Sequence, residues 1–261
     1  MRTHLWSLLL LMLIPASRAA ATEVDMQLVL AVDISRSMSH VDLATQRRGY
    51  AEALTSDEVL AAVSRGMLGR IGVTYVEWSD VERQRVIVDW TLIESPDDAS
   101  DVAQRIIRET GGTMRMTSIS TGLAFAAGRF RDSPFTSWRR VIDISGDGPN
   151  NDGLPVLAAR DRVTAEGITI NGLPVMAGGR DVIWHLPDLD LYYRDCVIGG
   201  PGAFVLPVRG WENFGDAIRR KLVLEIADTR PAAPPERLHR ASAYDCLIGE
   251  KILNRMRQRD N

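Results

Sequence analysis

The chain has 261 residues, a formal net charge of −3 and only two cysteines. That length suits one generous α/β domain, or a domain with a short tail, and is ample for a packed core. The mild acidity argues against a nucleic-acid partner, which would need a basic face. The chain opens on Arg2, an apolar run over 8–14 and the small residues Ser17-Arg18-Ala19-Ala20-Ala21. This is the pattern of a cleaved secretory signal peptide, 1–21, and the run is short for a membrane span. An uncleaved anchor is the alternative. Cleavage is expected after Ala19 or Ala21, which places the mature protein in the periplasm or beyond.

Strand and helix patterns then alternate. Residues 28–33 form a continuous apolar run, expected of a central strand covered on both faces. A helix is predicted over 41–54 with Ser39 as cap, and a second turn system over 56–63 with Ser56 as cap. Segments 70–78 and 83–92 read as strands joined closely enough to form a hairpin. Ser95-Pro96 opens a helix to 109. After Gly111-Gly112 comes a helix over 117–130, rich in small residues and able to lie close to a sheet. A strand at 140–145, a helix at 154–166, a strand at 168–176, a helix at 189–197, a strand at 203–208 and a long helix at 211–227 complete the domain. The expectation is a doubly wound, mostly parallel six-stranded α/β sheet with one antiparallel edge strand and helices on both faces. It spans 22–228, followed by a proline-rich linker and helical tail over 229–261. Trp78 and Trp138 read as core or sheet-edge packing.

Cys196 and Cys246 are a disulfide candidate, since an exported chain with two cysteines invites one bond; two buried free thiols are the alternative. Each sits in a similar pentapeptide, Asp195-Cys196-Val197-Ile198-Gly199 and Asp245-Cys246-Leu247-Ile248-Gly249. The echo suggests that the tail docks near Cys196.

Three loops carry the chemistry. The first, Asp33-Ile34-Ser35-Arg36-Ser37, follows one of the most apolar strands. The second, 111–120, carries Thr113 and Thr117. The third runs from Ser145-Gly146-Asp147-Gly148 through Asn150-Asn151 to Gly153. In a doubly wound sheet, ligands bind beyond the carboxyl ends of the strands, where the strand order reverses. If strands 28–33 and 140–145 are neighbours there, Asp33 and Asp147 face each other. Two carboxylates and three hydroxyls make an all-oxygen donor set, which suits Mg²⁺, or else Mn²⁺ or Ca²⁺, and leaves a coordination position open. A helix-capping turn at 33–37 and a plain polar turn at 147–152 are the bland alternatives. His40 reads as a solvated residue at a helix start, and Arg36 as pointing outward.

The Asp33-x-Ser35-x-Ser37 motif, a threonine opening a helix after a glycine pair, and a late Asp-Gly after a buried strand together resemble the von Willebrand factor type A (vWA) domain. The resemblance runs over about 26–227. The stretches Ile142-Asp143-Ile144-Ser145-Gly146-Asp147-Gly148-Pro149-Asn150-Asn151 and Tyr193-Arg194-Asp195-Cys196 are also similar to an exported bacterial vWA-like family of unknown function, DUF1194-like. The vWA resemblance implies a metal-ion-dependent adhesion site (MIDAS) built from Asp33, Ser35, Ser37, Thr117 and Asp147. It also implies a protein partner that offers an acidic side chain to the metal, and no enzymatic activity. Thr113 is the second choice for the threonine and Asp143 the lesser choice for the late aspartate. The family's Thr-Asp-Gly stands here one residue longer, as Ser145-Gly146-Asp147-Gly148. The rival readings are a phosphatase-like hydrolase, a structural domain with a vestigial site, and a metal-chelatase or ATPase partner subunit, which the expected export signal disfavours. The hydrolase needs a second acid two residues after Asp33, where this chain has Ser35.

Overall fold

The structure, a computed structural model, describes residues 21–113, 116–176, 186–228 and 244–259. The signal peptide expected at 1–21, all but its last residue, and the proline-rich stretch after 228 lie outside the described residues.

In chain order the elements are β1 (Thr22–Glu23), β2 (Met26–Asp33), α1 (His40–Leu54), α2 (Asp57–Ser64), β3 (Ile71–Trp78), β4 (Gln84–Ile93) and α3 (Pro96–Arg108). There follow α4 (Ile119–Arg129), β5 (Phe135–Thr136), β6 (Arg140–Gly146), α5 (Val156–Ala165), β7 (Thr169–Pro174), α6 (Leu189–Tyr192), α7 (Phe214–Ile226) and α8 (Ile248–Arg259). The predicted caps form as expected. Ser39 accepts from the Asp42 amide in a reciprocal capping box, and Ser56 and Ser95 cap α2 and α3.

The main sheet has the order β4-β3-β2-β6-β7, with β4 antiparallel and the other pairs parallel. Every residue of β2 is buried, because the strand lies at the centre with helices on both faces. Met26, Leu28, Leu30 and Val32 face a core shared with α1, α2, α3 and α7. Val29 and Ala31 face the opposite core, with α4, α5 and the 189–197 segment. The small residues of α4 do what the sequence suggested. A Cβ on Gly122 would lie 2.8 Å from the Trp78 ring, so the helix rests directly on the sheet.

Three expectations need correction. The main sheet has five strands rather than six. Segment 203–208 pairs with β7 only through isolated bridges at Val205 and Val208. The Leu206 and Val208 amides reach the Gly172 and Pro174 carbonyls, but Pro174 has no N–H to return, so the ladder is interrupted there and no regular sixth strand forms. A small second sheet of β1 and β5, unforeseen, pairs Thr22 with Phe135 and Glu23 with Thr136. Trp138 is wholly exposed, whereas Trp78 is buried as expected.

Cys196 and Cys246 are joined by a disulfide, with their Cα atoms 5.5 Å apart. It carries the tail onto the α5 side. There Tyr244 donates to Asp188 at 2.8 Å and stacks edge-on against Tyr192, while Ile248 and Ile252 pack on the core. No helix among the described residues is long and apolar enough to cross a membrane.

Candidate metal centre

The chain leaves β2 toward β3 and β4 on one side, and later toward β6 and β7 on the other. The strand order therefore reverses between β2 and β6, and the carboxyl ends of those two strands carry the first and third loops.

Asp33 ends β2 and is fully buried. The Ile34 amide still bonds to the Trp78 carbonyl at 2.9 Å, and Gln46 Nε2 donates to the Asp33 carbonyl at 2.9 Å. The backbone then turns over its own carboxylate. The Ser35 amide donates to Asp33 Oδ1 at 2.7 Å, and Ser35 Oγ donates to Oδ2 at 3.0 Å. The Ser35 and Ser37 hydroxyls are 3.1 Å apart, and Ser37 Oγ donates to Asp147 Oδ1 at 2.6 Å. A backbone hydrogen bond from Asp147 returns to the Asp33 carboxylate. Four of the five predicted site residues are thus linked in one hydrogen-bonded chain.

The extra residue before Asp147 does not move it out of reach. It is Gly146, which ends β6. A Cβ there would lie 2.7 Å from Tyr193 Oη and 3.0 Å from Asp33 Oδ2, so only glycine lets β6 run this close to Asp33. Asp143 lies four residues earlier in β6, paired with Lys221 on α7, and is not part of this cluster.

Thr117 is buried and stands just before α4. Its amide donates to Asn151 Oδ1 at 2.9 Å, and its carbonyl accepts from the Asn151 amide at 2.9 Å. Asn150 Oδ1 accepts from the Ser120 amide at 3.0 Å. One open N–H group of the first turn of α4, that of Ser120, is therefore satisfied by the third loop, and Ser118 gives no side-chain cap. This locks the two loops together. Thr117 joins the site through its backbone; no hydrogen bond among the described residues ties its hydroxyl to the Asp33–Asp147 chain. Thr113 is half-buried, in a stretch whose base is anchored by Arg47. That guanidinium grips Glu77 at 2.7 and 3.0 Å and donates to the Glu109 and Gly111 carbonyls. Arg36 and His40 are exposed, as expected.

Burial, and then the neighbouring Asp147 carboxylate, hold the Asp33 carboxyl well above the usual carboxylate range; the Ser35 hydrogen bonds offset only part of this. Among the described residues Asp33 has no salt-bridge partner. Tyr193 Oη, beside Gly146 and Asp33, is buried and has no hydrogen-bond partner among the described residues. A buried carboxylate raised by a second carboxylate, with hydroxyl oxygens between them, is a donor set that a hard divalent cation fits. The described residues contain no cluster of three or more His, Cys, Asp or Glu side chains placed to hold a metal, so the set rests on hydroxyls.

Several supporting residues escaped the sequence reading. Tyr192 Oη accepts from the Asn150 amide at 3.1 Å, and Glu250 of α8 accepts from Asn150 Nδ2 at 2.8 Å. A Cβ on Gly249 would lie 2.0 Å from the Asn150 carbonyl oxygen. The tail helix therefore lies directly behind the third loop. The Cys echo pointed to the docking, but nothing pointed to Asn150 as the place where it lands.

A family profile described as a protein of unknown function, DUF1194, matches residues 23–230. No curated protein matches the chain. Among solved structures, the pilus adhesin SpaC from Lactobacillus rhamnosus GG, in its open conformation, is similar with a TM-score of 0.57 at 12% identity, covering 78% of this chain and 30% of that one. Proximal thread matrix protein 1 (PTMP1) from the mussel byssus is similar with a TM-score of 0.58 at 16% identity, covering 80% of this chain and 49% of that one. A PTMP1 structure with a zinc-occupied MIDAS motif has a TM-score of 0.55 at 15% identity, with the same coverage. The chain thus spans 30% to 49% of these neighbours' lengths, and at such identities the likeness is one of fold. With the profile match over most of the sequence, on a sheet whose switch point carries the Asp33 loop, this chain belongs to the DUF1194 family and has the vWA fold.

Proposed function

We propose that this protein is an exported, non-enzymatic binding module of the adhesion type. In this reading Asp33, Ser35, Ser37, Thr117 and Asp147 hold one divalent cation, Mg²⁺ by preference and Mn²⁺ or Ca²⁺ otherwise. The cation's open position takes a carboxylate from a partner protein. The observation that supports this most strongly is the hydrogen-bonded chain from Asp33 through Ser35 and Ser37 to Asp147. It gathers oxygens from two loops at the sheet's switch point, around a carboxylate that burial and a neighbouring charge make unfavourable without a cation. An adhesin and a MIDAS-containing protein among the fold neighbours agree with it.

The residues themselves position the oxygens. Gly146 and the Asn150–Asn151 clamp fix the third loop, and Gln46 fixes the end of β2. Ser35 stands where a hydrolase using Asp33 as nucleophile would need its second acid, which disfavours that chemistry. The domain proper is taken as 22–228, released to the periplasm or beyond by removal of 1–21.

Thermal melting in Mg²⁺, Mn²⁺, Ca²⁺ and Zn²⁺ tests the reading. At an ion concentration 100 times the Kd the stabilisation is about 2.7 kcal/mol. For a domain of this size that is roughly 5–10 °C. Asp33→Ala should abolish the shift. No shift with any ion at millimolar concentration would favour a vestigial site. Pull-down from a periplasmic extract, with and without chelator, then compares wild type with Asp33→Ala for a metal-dependent acidic partner.

A further inference from the structure

A second cluster of reactive side chains lies away from the candidate metal centre, between β6 and α7. Asp143, Lys221 and Glu225 are 0%, 0% and 2% exposed. Lys221 Nζ is 2.6 Å from Asp143 Oδ1 and also pairs with Glu225. Among the described residues neither Asp143 oxygen accepts a hydrogen bond of regular geometry. The Phe204 ring covers the lysine at 5.4 Å, and Asn171 Nδ2 holds Glu225 Oε1 at 2.9 Å.

Two features set this cluster apart from an ordinary buried ion pair. The first is the choice of base. The chain has 31 lysines and arginines, of which only Lys221 and Lys251 are lysines. Another buried pair uses Arg47, bidentate on Glu77. A guanidinium serves well there, whereas only an amine can be acylated. The second is solvation. Moving one proton from Lys221 to Asp143 removes two buried charges and leaves a neutral amine against a neutral acid, as desolvation favours. Burial pushes the Asp143 carboxyl up, and burial with the nearby Asp143 pushes Glu225 to about 7.

We propose that Lys221 and Asp143 condense into an intramolecular isopeptide bond, with Glu225 carrying the proton. The Lys221 nitrogen lone pair attacks Asp143 Cγ, and the C–N bond forms. The Glu225 carboxylate takes the proton from nitrogen and delivers it to the departing hydroxyl as the C–O bond breaks. Water leaves, Glu225 is regenerated, and nothing is oxidised or reduced. A cleft of about 320 Å³, lined in part by Asn171, Phe204 and Glu225, adjoins the cluster and gives the water an exit. The product would staple the domain's last helix to the central sheet.

Intact mass spectrometry of the reduced, exported protein tests this, with the N-terminus read from the same sample. The expected mass is one water below that of the sequence, and digestion should yield one branched peptide joining Asp143 to Lys221. A succinimide at Asp147-Gly148 or Asp152-Gly153 would lose the same mass, so the branched peptide decides. Glu225→Gln keeps the acceptor for Asn171 and should restore the full mass in a protein whose circular dichroism is unchanged; Lys221→Arg should also restore it. Full sequence mass in the folded wild type, or a lost water without the branched peptide, overturns the proposal.

Discussion

Removing the Cys196–Cys246 bond asks whether the tail helix melts with the domain or merely hangs from it. Alanine is the better replacement, because Cys196 is fully buried and a serine there would leave a hydroxyl without a partner. The bond closes a loop of 50 residues. In the chain-entropy account, opening a loop of about that size raises the unfolded state's freedom by about 4 kcal/mol. For a domain of this size each kcal/mol moves Tm by roughly 2–4 °C, so Cys196→Ala/Cys246→Ala should melt about 8–16 °C lower. The full loss appears only if both ends belong to one cooperative unit. The structure gives reason to expect that: Tyr244 ties the start of the tail to Asp188 and Tyr192, and Gly249 against the Asn150 carbonyl with Glu250 on Asn150 tie α8 to the third loop. Calorimetry with and without reductant reads the shift, and limited proteolysis reads the tail. A Tm within about 2 °C of wild type, a shift worth no more than ~1 kcal/mol, together with rapid clipping after 228, would refute the reasoning. The tail would then be an independently fraying appendage.

Gly249→Val should weaken the same junction without touching the disulfide. The new side chain meets a backbone oxygen that cannot swing aside, at a cost of about 1–3 kcal/mol, measurable as a lower Tm and faster tail proteolysis. The pH dependence of metal-free stability should carry the mark of Asp33. Its folded pKa is raised, so the folded state holds a proton that the unfolded state has released. Stability therefore falls as pH rises from the ordinary carboxylate range to the raised value, and levels off above it. Asp33→Asn should remove that part of the slope and raise metal-free stability at neutral pH; denaturant melts at several pH values check this. Gly146→Ala should disturb the candidate site more than the fold. A Cβ pressing on Tyr193 Oη and Asp33 Oδ2 should reduce any metal-induced rise in Tm, with the circular dichroism little changed.

Most of the architecture was legible in the chain because local chemistry dictates it. An unbroken apolar run makes a strand covered on both faces, serines at 39, 56 and 95 start helices, and the glycine and alanines of α4 permit close packing on Trp78. The order of the three oxygen-bearing loops, each after a strand or before a helix, was equally visible. What the sequence could not decide is which strands become neighbours, because pairing is set by tertiary competition between edges. Only the placement of β6 beside β2 brings Asp147 to Ser37. The sixth strand failed because Pro174 withholds an N–H at a position that matters only once a partner is chosen. The clamp of Asn150 and Asn151 on α4, the landing of Gly249 on Asn150 and the burial of Lys221 against Asp143 are likewise contacts between distant segments. Their free energy depends on the folded geometry, and no local pattern encodes that geometry.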